Sequence, residues 1–375
     1  MSAVENVLIV GGGIAGMTLA IGLHRAGIAA EIVEISPQWI GLGTGISLQG
    51  ATLRALRSIG LLEPCIARGF GYSHFRTCDV NGKVLGTVDM PRLLGPGLPA
   101  TVGIMRQEVH AAMREALTAA GIPARTGTTV ATLEQDPDGV EVSFTDGANR
   151  RYDLVVGADG ANSKIRDMVF GPQFRSQYTG QVNWRGTVSR PPEVQGRYSW
   201  YGPRNKAGVN PVSERQMYIY IVQNAEKPPR YPDEQLPDAM RELLADFGGF
   251  MGAARDEVTD PQHVICRPIT SSLMPQPWYR GRVIVIGDAA HTTTPHMATG
   301  AGMAVEDSIV LAELLQSEPS LSGALESFMQ RRYERCRMVV ENSFQLGEWE
   351  KDPSVPNSAH VALVDRSLKA LAQPI

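Results

Sequence analysis

The sequence predicts a mixed α/β fold, in which a parallel sheet is interrupted by an inserted antiparallel sheet and followed by C-terminal helices. Short apolar runs that end in small residues occur at Val7 to Val10, at Val155 to Gly157 and from Val283, as in buried parallel strands. Residues 172–270 are rich in β-branched and aromatic residues at short spacing, which is typical of antiparallel strands. From about residue 300 onward the apolar residues follow helical spacing.

The first apolar run leads directly into a Gly-x-Gly-x-x-Gly motif, which precedes a helix and a second strand, Ala30 to Ile35. In this setting Gly11 makes the tight turn, Gly13 lets a pyrophosphate approach the backbone, and Gly16 lets helix and strand pack closely. Glu34 ends the second strand, where a carboxylate binds ribose hydroxyls and repels a 2′-phosphate. The motif therefore predicts nucleotide binding, and the alternative is a glycine turn kept for packing.

The remaining elements follow in chain order. Three discontinuous segments, 1–72, 101–171 and 271–345, form the predicted nucleotide-binding domain. Residues 73–100 and 172–270 form the inserted sheet domain. Residues 346–375 form a helical tail, which includes the partly helical stretch from Pro353. The individual expectations are a second glycine-rich turn from Gly41 through Leu42 to Ser47, a helix Ala51 to Leu61, a helix Ile104 to Ala120, a strand near Val130, a hairpin joining Gly139 to Phe144 with Arg151 to Val156, a helix Ser163 to Val169 and a helix Leu236 to Phe247.

The stretch from Val283 to Asp307 repeats the pattern of a strand, a small-residue loop and a helix. Free backbone N–H groups at a helix start favour an anionic or polar cofactor. Asp288, at the strand end, can accept hydrogen bonds from a sugar or polyol hydroxyl. An ordinary strand–loop–helix with a turn aspartate is the alternative.

Composition excludes several function classes. The net charge of −4 favours neither nucleic acid nor an anionic membrane as a partner. The four cysteines form no C-x-x-C pair and no zinc-type cluster, so we expect free thiols and no metal. No apolar run reaches about 18 residues, and no signal peptide is visible. We therefore expect a cytoplasmic protein without a membrane span.

Three motifs, taken together, resemble the class A FAD-dependent aromatic hydroxylases, which share the p-hydroxybenzoate hydroxylase fold. They are the N-terminal glycine motif with Glu34, Asp159-Gly160 in Gly-Ala-Asp-Gly-Ala-Asn-Ser-Lys-Ile-Arg, and Gly287-Asp288 in Gly-Asp-Ala-Ala-His. Finer features, Tyr178 to Gly186 and Pro295 to Gly300, are most similar to the small bacterial members of the urate hydroxylase and 6-hydroxynicotinate 3-monooxygenase type.

The resemblance implies a Rossmann-like domain that binds FAD. Because only one dinucleotide motif is present, NADH or NADPH is expected to dock transiently as the reductant. The cofactor-binding residues implied are Gly11, Gly13, Ala15 and Gly16 for the pyrophosphate, Glu34 for the ribose, Ser47, Arg106, the backbone of Val130 for the adenine, Asp159, Asp288, and Gly300, Ala301, Gly302 and Met303 for the flavin ring.

The resemblance also implies an activity. Using NAD(P)H and O2, such enzymes hydroxylate an aromatic or N-heteroaromatic small molecule through a flavin C4a-hydroperoxide. Pro295, His296 and Tyr218 are expected to contact the substrate, and His296, Tyr218 and Lys206 to be the catalytic candidates. The alternatives are a loop histidine that caps backbone groups, a core tyrosine and a solvated surface lysine. His291 is expected to be structural, beside Asp288, and a homodimer is plausible from the family.

Two other functions stay open at this point. One is a different flavin oxidoreductase on the same fold, such as a halogenase or a prenyl reductase, although the sequence lacks a Trp-x-Trp-x-Ile-Pro segment. The other is a protein that binds FAD and a ligand without turnover.

Overall fold

The computed structural model describes residues 3–41, 43–202, 205–352 and 354–375. Leu42, in the second glycine-rich turn, and Pro353, at the start of the predicted tail, lie outside the described residues. The strands are β1 Asn6–Val10, β2 Ala29–Glu34, β3 Gly45–Gln49, β4 Phe70–Tyr72, β5 His74–Cys78, β6 Val84–Asp89, β7 Thr101–Met105, β8 Ala124–Thr126, β9 Val130–Gln135, β10 Val140–Phe144, β11 Asn149–Tyr152, β12 Leu154–Gly157, β13 Gln177–Ser189, β14 Arg197–Tyr201, β15 Asn205–Pro211, β16 Gln216–Asn224, β17 Val264–Ser271, β18 Tyr279–Arg280 and β19 Val283–Val285.

The α-helices lie between and after these strands. They are α1 Ile14–Arg25, α2 Gly50–Ser58, α3 Leu62–Arg68, α4 Arg106–Ala119, α5 Lys164–Phe170, α6 Leu236–Leu244, α7 Phe250–Asp256, α8 Gly300–Ser317, α9 Leu321–Lys351 and α10 Asn357–Ala372. In the described part of the chain, none of the helices combines the length and the apolar character needed to cross a bilayer.

The three apolar runs of the sequence pair side by side in a six-stranded sheet of order β18-β19-β12-β1-β2-β8. Leu8 lies opposite Val155, and Val156 lies opposite Ile284. These strands are parallel, and only β18 runs antiparallel to its neighbour. Their side chains are fully buried because helices cover both faces of such a sheet.

A seven-stranded sheet of order β17-β13-β16-β15-β14-β5-β6 forms the second layer. Its strands are antiparallel apart from the parallel pair β14 and β5. In β16 the odd-numbered residues Met217, Ile219 and Ile221 join the apolar core that also contains α6 and α7. The even-numbered Tyr218 and Tyr220 therefore lie on the opposite face.

Several predicted element boundaries are wrong. Helices α2 and α6 end at Ser58 and Leu244, before the predicted ends at Leu61 and Phe247. The stretch from Arg151 to Val156 is two strands, because the Asp153 carboxylate accepts hydrogen bonds from the backbone N–H groups of Glu5 and Asn6 and ends the hairpin there. Ile104 belongs to strand β7 rather than to the following helix, because it pairs with β3 and its side chain is buried.

Candidate functional site

Gly287 brings two helix starts and one strand end together. A Cβ atom at this position would lie 3.2 Å from Cβ of Ala304 in α8 and 3.3 Å from Cβ of Ala15 in α1. Its φ of +60° also favours glycine. Ser308 reinforces the junction by donating from its hydroxyl to the carbonyl of Ala15 at 2.8 Å. Asp288 therefore emerges beside the N-termini of both helices.

Both helix N-termini are uncapped by side chains. Neither Gly13, before α1, nor Thr299, before α8, makes a side-chain capping hydrogen bond in the described structure. The first N–H groups of a helix have no intrahelical acceptor, and the helix dipole favours negative charge there. Gly300, Ala301 and Gly302 supply these N–H groups in α8. The two ends can therefore hold an anionic or hydrogen-bond-accepting cofactor.

The N-terminal glycines have three different environments. Gly11 has a φ of +109°, and a Cβ atom on it would approach the carbonyl oxygen of Ala158 to 2.5 Å. A Cβ atom at Gly16 would lie 2.0 Å from the carbonyl oxygen of Gly11. At Gly13, in contrast, a Cβ atom would meet nothing within 4 Å. The free space beside Gly13 fits a pyrophosphate.

Glu34 lies at the edge of this glycine turn. Its carboxylate accepts hydrogen bonds of 2.8 Å from the backbone N–H groups of Gly12 and Ser36. The carbonyl of Glu34 accepts from Thr128, two residues before Val130 at the start of β9. The two residues expected at the adenosine end of FAD are thus on neighbouring segments.

Asp288 and Arg106 share an open cleft. Both side chains are exposed to solvent, yet the protein around Asp288 raises its pKa, against the opposing charges of His291 and Arg106. The protein around Arg106 and the charge of Arg185 lower the pKa of Arg106, against the opposing charge of Asp288. The three side chains are therefore close enough to interact within one cleft.

The second glycine-rich turn joins this cleft to the seven-stranded sheet. A Cβ atom at Gly43 would lie 3.2 Å from Cδ of Arg106, and one at Gly45 would lie 2.4 Å from the ring of Tyr218. Arg185, on β13, donates to the carbonyl of Gly45 at 3.1 Å. Its guanidinium lies 5.3 Å from the ring centre of Tyr218. Tyr218 and Arg185 thus form the sheet side of the cleft.

Asp159 is fully engaged with α5. Its carboxylate accepts hydrogen bonds from the Ser163 hydroxyl at 2.5 Å and from the backbone N–H groups of Lys164 and Ile165 at 2.8 and 3.1 Å. These contacts cap the helix start. Both carboxylate oxygens of Asp159 are therefore bonded within the protein, and the cofactor contact that the resemblance implies for this residue stays a prediction.

Ser47 lies on β3 at the edge of a polar cluster. Its hydroxyl is 3.3 Å from the hydroxyl of Tyr72, which donates to Asn210 on β15 at 3.4 Å. Tyr220, on the same sheet face, lies 2.8 Å from the Ser199 hydroxyl and accepts from Arg197 at 3.2 Å. Burial opposes ionisation of Tyr220, but the charges of Arg197 and Lys206 lower its pKa.

His296 and Lys206 meet at Glu350, near the C-terminal end of α9. Lys206 Nζ bonds to one carboxylate oxygen of Glu350, and His296 Nε2 lies 3.5 Å from the other. All three side chains are at most 12% exposed. The alternative that Lys206 is a solvated surface charge is therefore wrong, because its ammonium is buried and paired, whereas a catalytic role for Lys206 stays a prediction. Pro295 starts the short 3-10 helix that carries His296.

His291 bonds to Asp307 in α8 rather than to Asp288. Within the described part of the chain, His291, Asp307 and Cys336 have metal-ligand spacing, with atoms within 4.8 Å of one another. Arg332 donates to the Asp307 carboxylate at 2.8 Å and to the Cys336 sulfur at 3.4 Å. The guanidinium already compensates the negative charge, so the cluster is a buried ionic network.

Comparison with known proteins identifies the family. Residues 5–343 match the family described as FAD binding domain. The chain belongs to this family. The aurachin C monooxygenase/isomerase of Stigmatella aurantiaca is 32% identical, over 92% of this chain and 90% of its own. The 2-heptyl-3-hydroxy-4(1H)-quinolone synthase of Pseudomonas aeruginosa is also 32% identical, over 93% and 91%.

A solved structure extends the comparison to the fold. HpxO of Klebsiella pneumoniae, in complex with FAD and uric acid, superposes with a TM-score of 0.85, covering 99% of this chain and 93% of that one at 22% identity. The prediction that this FAD-binding protein is a flavin-dependent monooxygenase of the p-hydroxybenzoate hydroxylase fold is confirmed. These relatives favour that activity over the other flavin reactions left open by the sequence.

Several polar residues of the site were not predicted from the sequence. Arg185 lies inside the stretch from Tyr178 to Gly186 that carried the family resemblance, but no role was assigned to it. Arg197, Tyr220 and Glu350 lie far apart in sequence, and only strand pairing and the length of α9 bring them together. Alternation along β16 was the one available signal, because it places Tyr220 on the same face as Tyr218.

Proposed function

We propose that this FAD-dependent monooxygenase hydroxylates a small phenolic or N-heteroaromatic ring that reacts as its anion. One observation carries the proposal: Arg185 and Arg197 lie on the sheet face beside the cleft, and neither has a carboxylate partner among the described residues. Partly buried guanidinium groups without an acid partner stabilise an anionic ligand. An ionised hydroxyl or ring amide also makes a ring carbon electron-rich, as electrophilic oxygen transfer requires.

We assign the parts of FAD to residues along the cleft. Bound FAD supplies the oxygen-transfer chemistry, with NADH or NADPH as reductant and O2 as co-substrate. We assign the pyrophosphate to the α1 end around Gly13, the ribose to Glu34 and the adenine to Val130. Asp288 and Arg106 then contact the central part of FAD. The α8 residues from Gly300 to Met303 face the flavin ring with their backbone N–H groups.

We assign the substrate to the sheet side of the cleft. We assign Tyr218 to the substrate wall, where its buried ring packs against the guanidinium of Arg185 and supports it. His296, near Pro295, is the candidate proton acceptor, since histidine is the most common general base. Lys206 acts through Glu350 rather than by contact with the ring, because its ammonium bonds to that carboxylate.

Purified protein tests the proposal directly. We expect a flavin spectrum, release of FAD on denaturation, and NAD(P)H oxidation stimulated by an acidic ring. The panel contains uric acid, 6-hydroxynicotinate, 4-hydroxybenzoate and 2-heptyl-4(1H)-quinolone, and mass spectrometry detects a product heavier by one oxygen atom. A flavin-containing protein for which methoxylated, non-ionisable rings are the better substrates would contradict the proposal.

Arg185→Met provides the second test. Loss of a charge-assisted contact of about 1.5–3 kcal/mol predicts a tenfold to hundredfold rise in KM for the accepted ring. Arg267→Met, which removes an exposed arginine on the neighbouring strand β17, is the matched control. Equal KM values for the two variants would remove Arg185 from the substrate site.

A further inference from the structure

Trp39 lies against the N-terminal glycine turn. Its indole Nε1–H donates to the carbonyl of Gly12 at 2.8 Å. A Cβ atom at Gly12 would lie 2.2 Å from this nitrogen, so only glycine leaves room for the indole ring. Gly12 occupies the first variable position of the Gly-x-Gly-x-x-Gly motif, where dinucleotide binding itself does not require glycine. The glycine at this position is therefore explained by Trp39.

The backbone of Trp39 is in the left-handed region, with a φ of +44°. This conformation is strained for a bulky residue and persists only where the surrounding structure holds it. Arg114, on α4, makes two of the contacts that hold it. Its guanidinium donates to the carbonyl of Trp39 at 3.2 Å and lies 5.3 Å from the centre of the indole ring. These contacts offset the strain and keep the indole against Gly12.

His110, one turn before Arg114 on α4, donates to the same carbonyl of Gly12. Its Nε2 lies 3.2 Å from the oxygen, and because a carbonyl oxygen can only accept, the hydrogen is on Nε2. The imidazole also packs edge-to-face against the indole of Trp39, with ring centres 6.0 Å apart and ring planes at 87°. The two lone pairs of the Gly12 oxygen therefore have one donor each.

The same peptide unit ends in the N–H of Gly13. The peptide bond between Gly12 and Gly13 is trans, so the carbonyl oxygen and the N–H point in opposite directions. Gly12 is buried and Gly13 is exposed. The N–H of Gly13 has no acceptor among the described residues, and the carboxylate of Glu34 holds the preceding N–H, that of Gly12. With its carbonyl fixed on the inner side, the peptide directs the Gly13 N–H outward.

Building on the assignment of the FAD pyrophosphate to Gly13 in the proposed function, we propose that Trp39 and His110 are positioning residues for FAD. Together they orient the peptide between Gly12 and Gly13 so that its N–H donates to the pyrophosphate. Neither side chain needs to touch the cofactor. An N–H group that is already oriented binds an anion more tightly than a mobile one, because less conformational freedom is lost on binding.

Because two donors share one carbonyl, their effects on FAD affinity should be non-additive. Trp39→Phe keeps an aromatic ring without the donor, and the remaining His110 still holds the oxygen. Trp39→Phe and His110→Leu should therefore each raise the Kd for FAD about threefold or less. Without both donors the peptide can turn, and the double variant should raise the Kd about thirtyfold or more. Titration of the apoprotein with FAD, followed by flavin fluorescence, measures each Kd.

His110→Gln separates the orientation of the peptide from packing. Its side-chain amide places an N–H near the position of Nε2, so in the Trp39→Phe background it should keep the Kd within about threefold of that of the unmodified protein. The absorption spectrum of the bound flavin should be the same in all variants, because the flavin end of the site is unchanged. Trp349→Phe, at a half-buried tryptophan that packs edge-to-face on His360, is the matched control and should leave FAD affinity unchanged.

Gly12→Ala tests the same contact from the other side. Its Cβ atom displaces the indole while Trp39 stays in the chain. Combined with His110→Leu, it should weaken FAD binding as strongly as the first double variant does. Calorimetry of each apoprotein shows which variants fold, and this second pair replaces the first if Trp39→Phe with His110→Leu does not fold.

The Kd values decide between the possible outcomes. A double variant that binds FAD as tightly as the unmodified protein, or only as weakly as the two single effects multiplied, overturns the proposal. Equal Kd values for His110→Gln and His110→Leu in the Trp39→Phe background assign both residues a packing role and also overturn it. Normal FAD affinity in Gly13→Ala overturns the assignment of the pyrophosphate and the proposal with it, whereas weak binding in Gly13→Ala alone rejects only the role of Trp39 and His110.

Discussion

The backbone N–H of Gly287 donates a 3.0 Å hydrogen bond to the carboxylate of Asp307. Asp307 is fully buried in α8 and also bonds to His291 at 2.6 Å and to Arg332 at 2.8 Å. Burial opposes its charge, but His291 and Arg332 lower the pKa of Asp307 to about 2. A buried ionic network next to the cleft therefore fixes the turn that carries Asp288.

Removal of Arg332 should destabilise the protein strongly. Arg332→Met leaves the buried carboxylates of Asp307 and Glu306 without their main shared partner, and we expect a loss of about 3–5 kcal/mol in the free energy of unfolding. Urea unfolding with FAD in excess measures it. Arg331→Met breaks a largely exposed pair with Glu313 and one hydrogen bond to the backbone oxygen of Ile375, and should lose about 1 kcal/mol or less. Equal losses of unfolding free energy in the two variants would contradict the stabilising role assigned to Arg332.

Two glycines of one motif should respond differently to alanine. Gly16→Ala brings a Cβ atom to 2.0 Å from a backbone carbonyl, and we expect a loss of about 1–3 kcal/mol in the free energy of unfolding. The Cβ atom of Gly13→Ala meets no atom of the described residues within 4 Å, so the apoprotein should keep its Tm while FAD binding weakens. Calorimetry of the apoprotein measures the change in stability, and titration with FAD measures the change in affinity. Normal FAD affinity in Gly13→Ala would place the pyrophosphate elsewhere.

The structural roles of these glycines could be predicted from the sequence because each role depends on residues close by in the chain. Turn, close approach and helix packing each depend on a few residues around one strand end. The same holds for the presence of the three apolar runs in a parallel sheet and for the position of Asp288 at a strand end, whereas the order of the strands was not predicted. The positions of Leu8, Val155 and Ile284 in one sheet follow from three similar apolar runs.

The polar interior of the site could not be predicted in the same way. Glu350 lies 144 positions from Lys206 and 54 from His296, and α9 must run unbroken to Lys351 to bring it there. No periodicity of the sequence encodes such a contact. For the same reason a solvated position at the surface was left open as the alternative for Lys206. The domain boundaries and a homodimer stay predictions.

Asp288 should hold FAD through hydrogen bonds to its hydroxyl groups. Asp288→Ala removes a charged acceptor worth about 1.5–3 kcal/mol, so we expect FAD affinity to fall tenfold to hundredfold. Asp288→Asn keeps one oxygen acceptor without the charge, so its FAD affinity should lie between that of Asp288→Ala and that of the unmodified protein. Recovery of FAD fluorescence during dialysis measures both. Full FAD retention in the alanine variant would move the contact to another residue.

The buried His296 should make stability depend on pH. Its folded-state pKa of about 4 lies below the value of about 6.5 for an unfolded chain. The native state thus binds fewer protons, and the stabilisation present above pH 6.5 is lost as the pH falls toward 4, by about 3 kcal/mol. In His296→Gln this part of the pH dependence should disappear, whereas His263→Gln, at an exposed histidine, should keep it. Urea unfolding at a series of pH values, with FAD saturating, compares the three proteins. Parallel curves for His296→Gln and the unmodified protein would show that His296 titrates normally in the folded state.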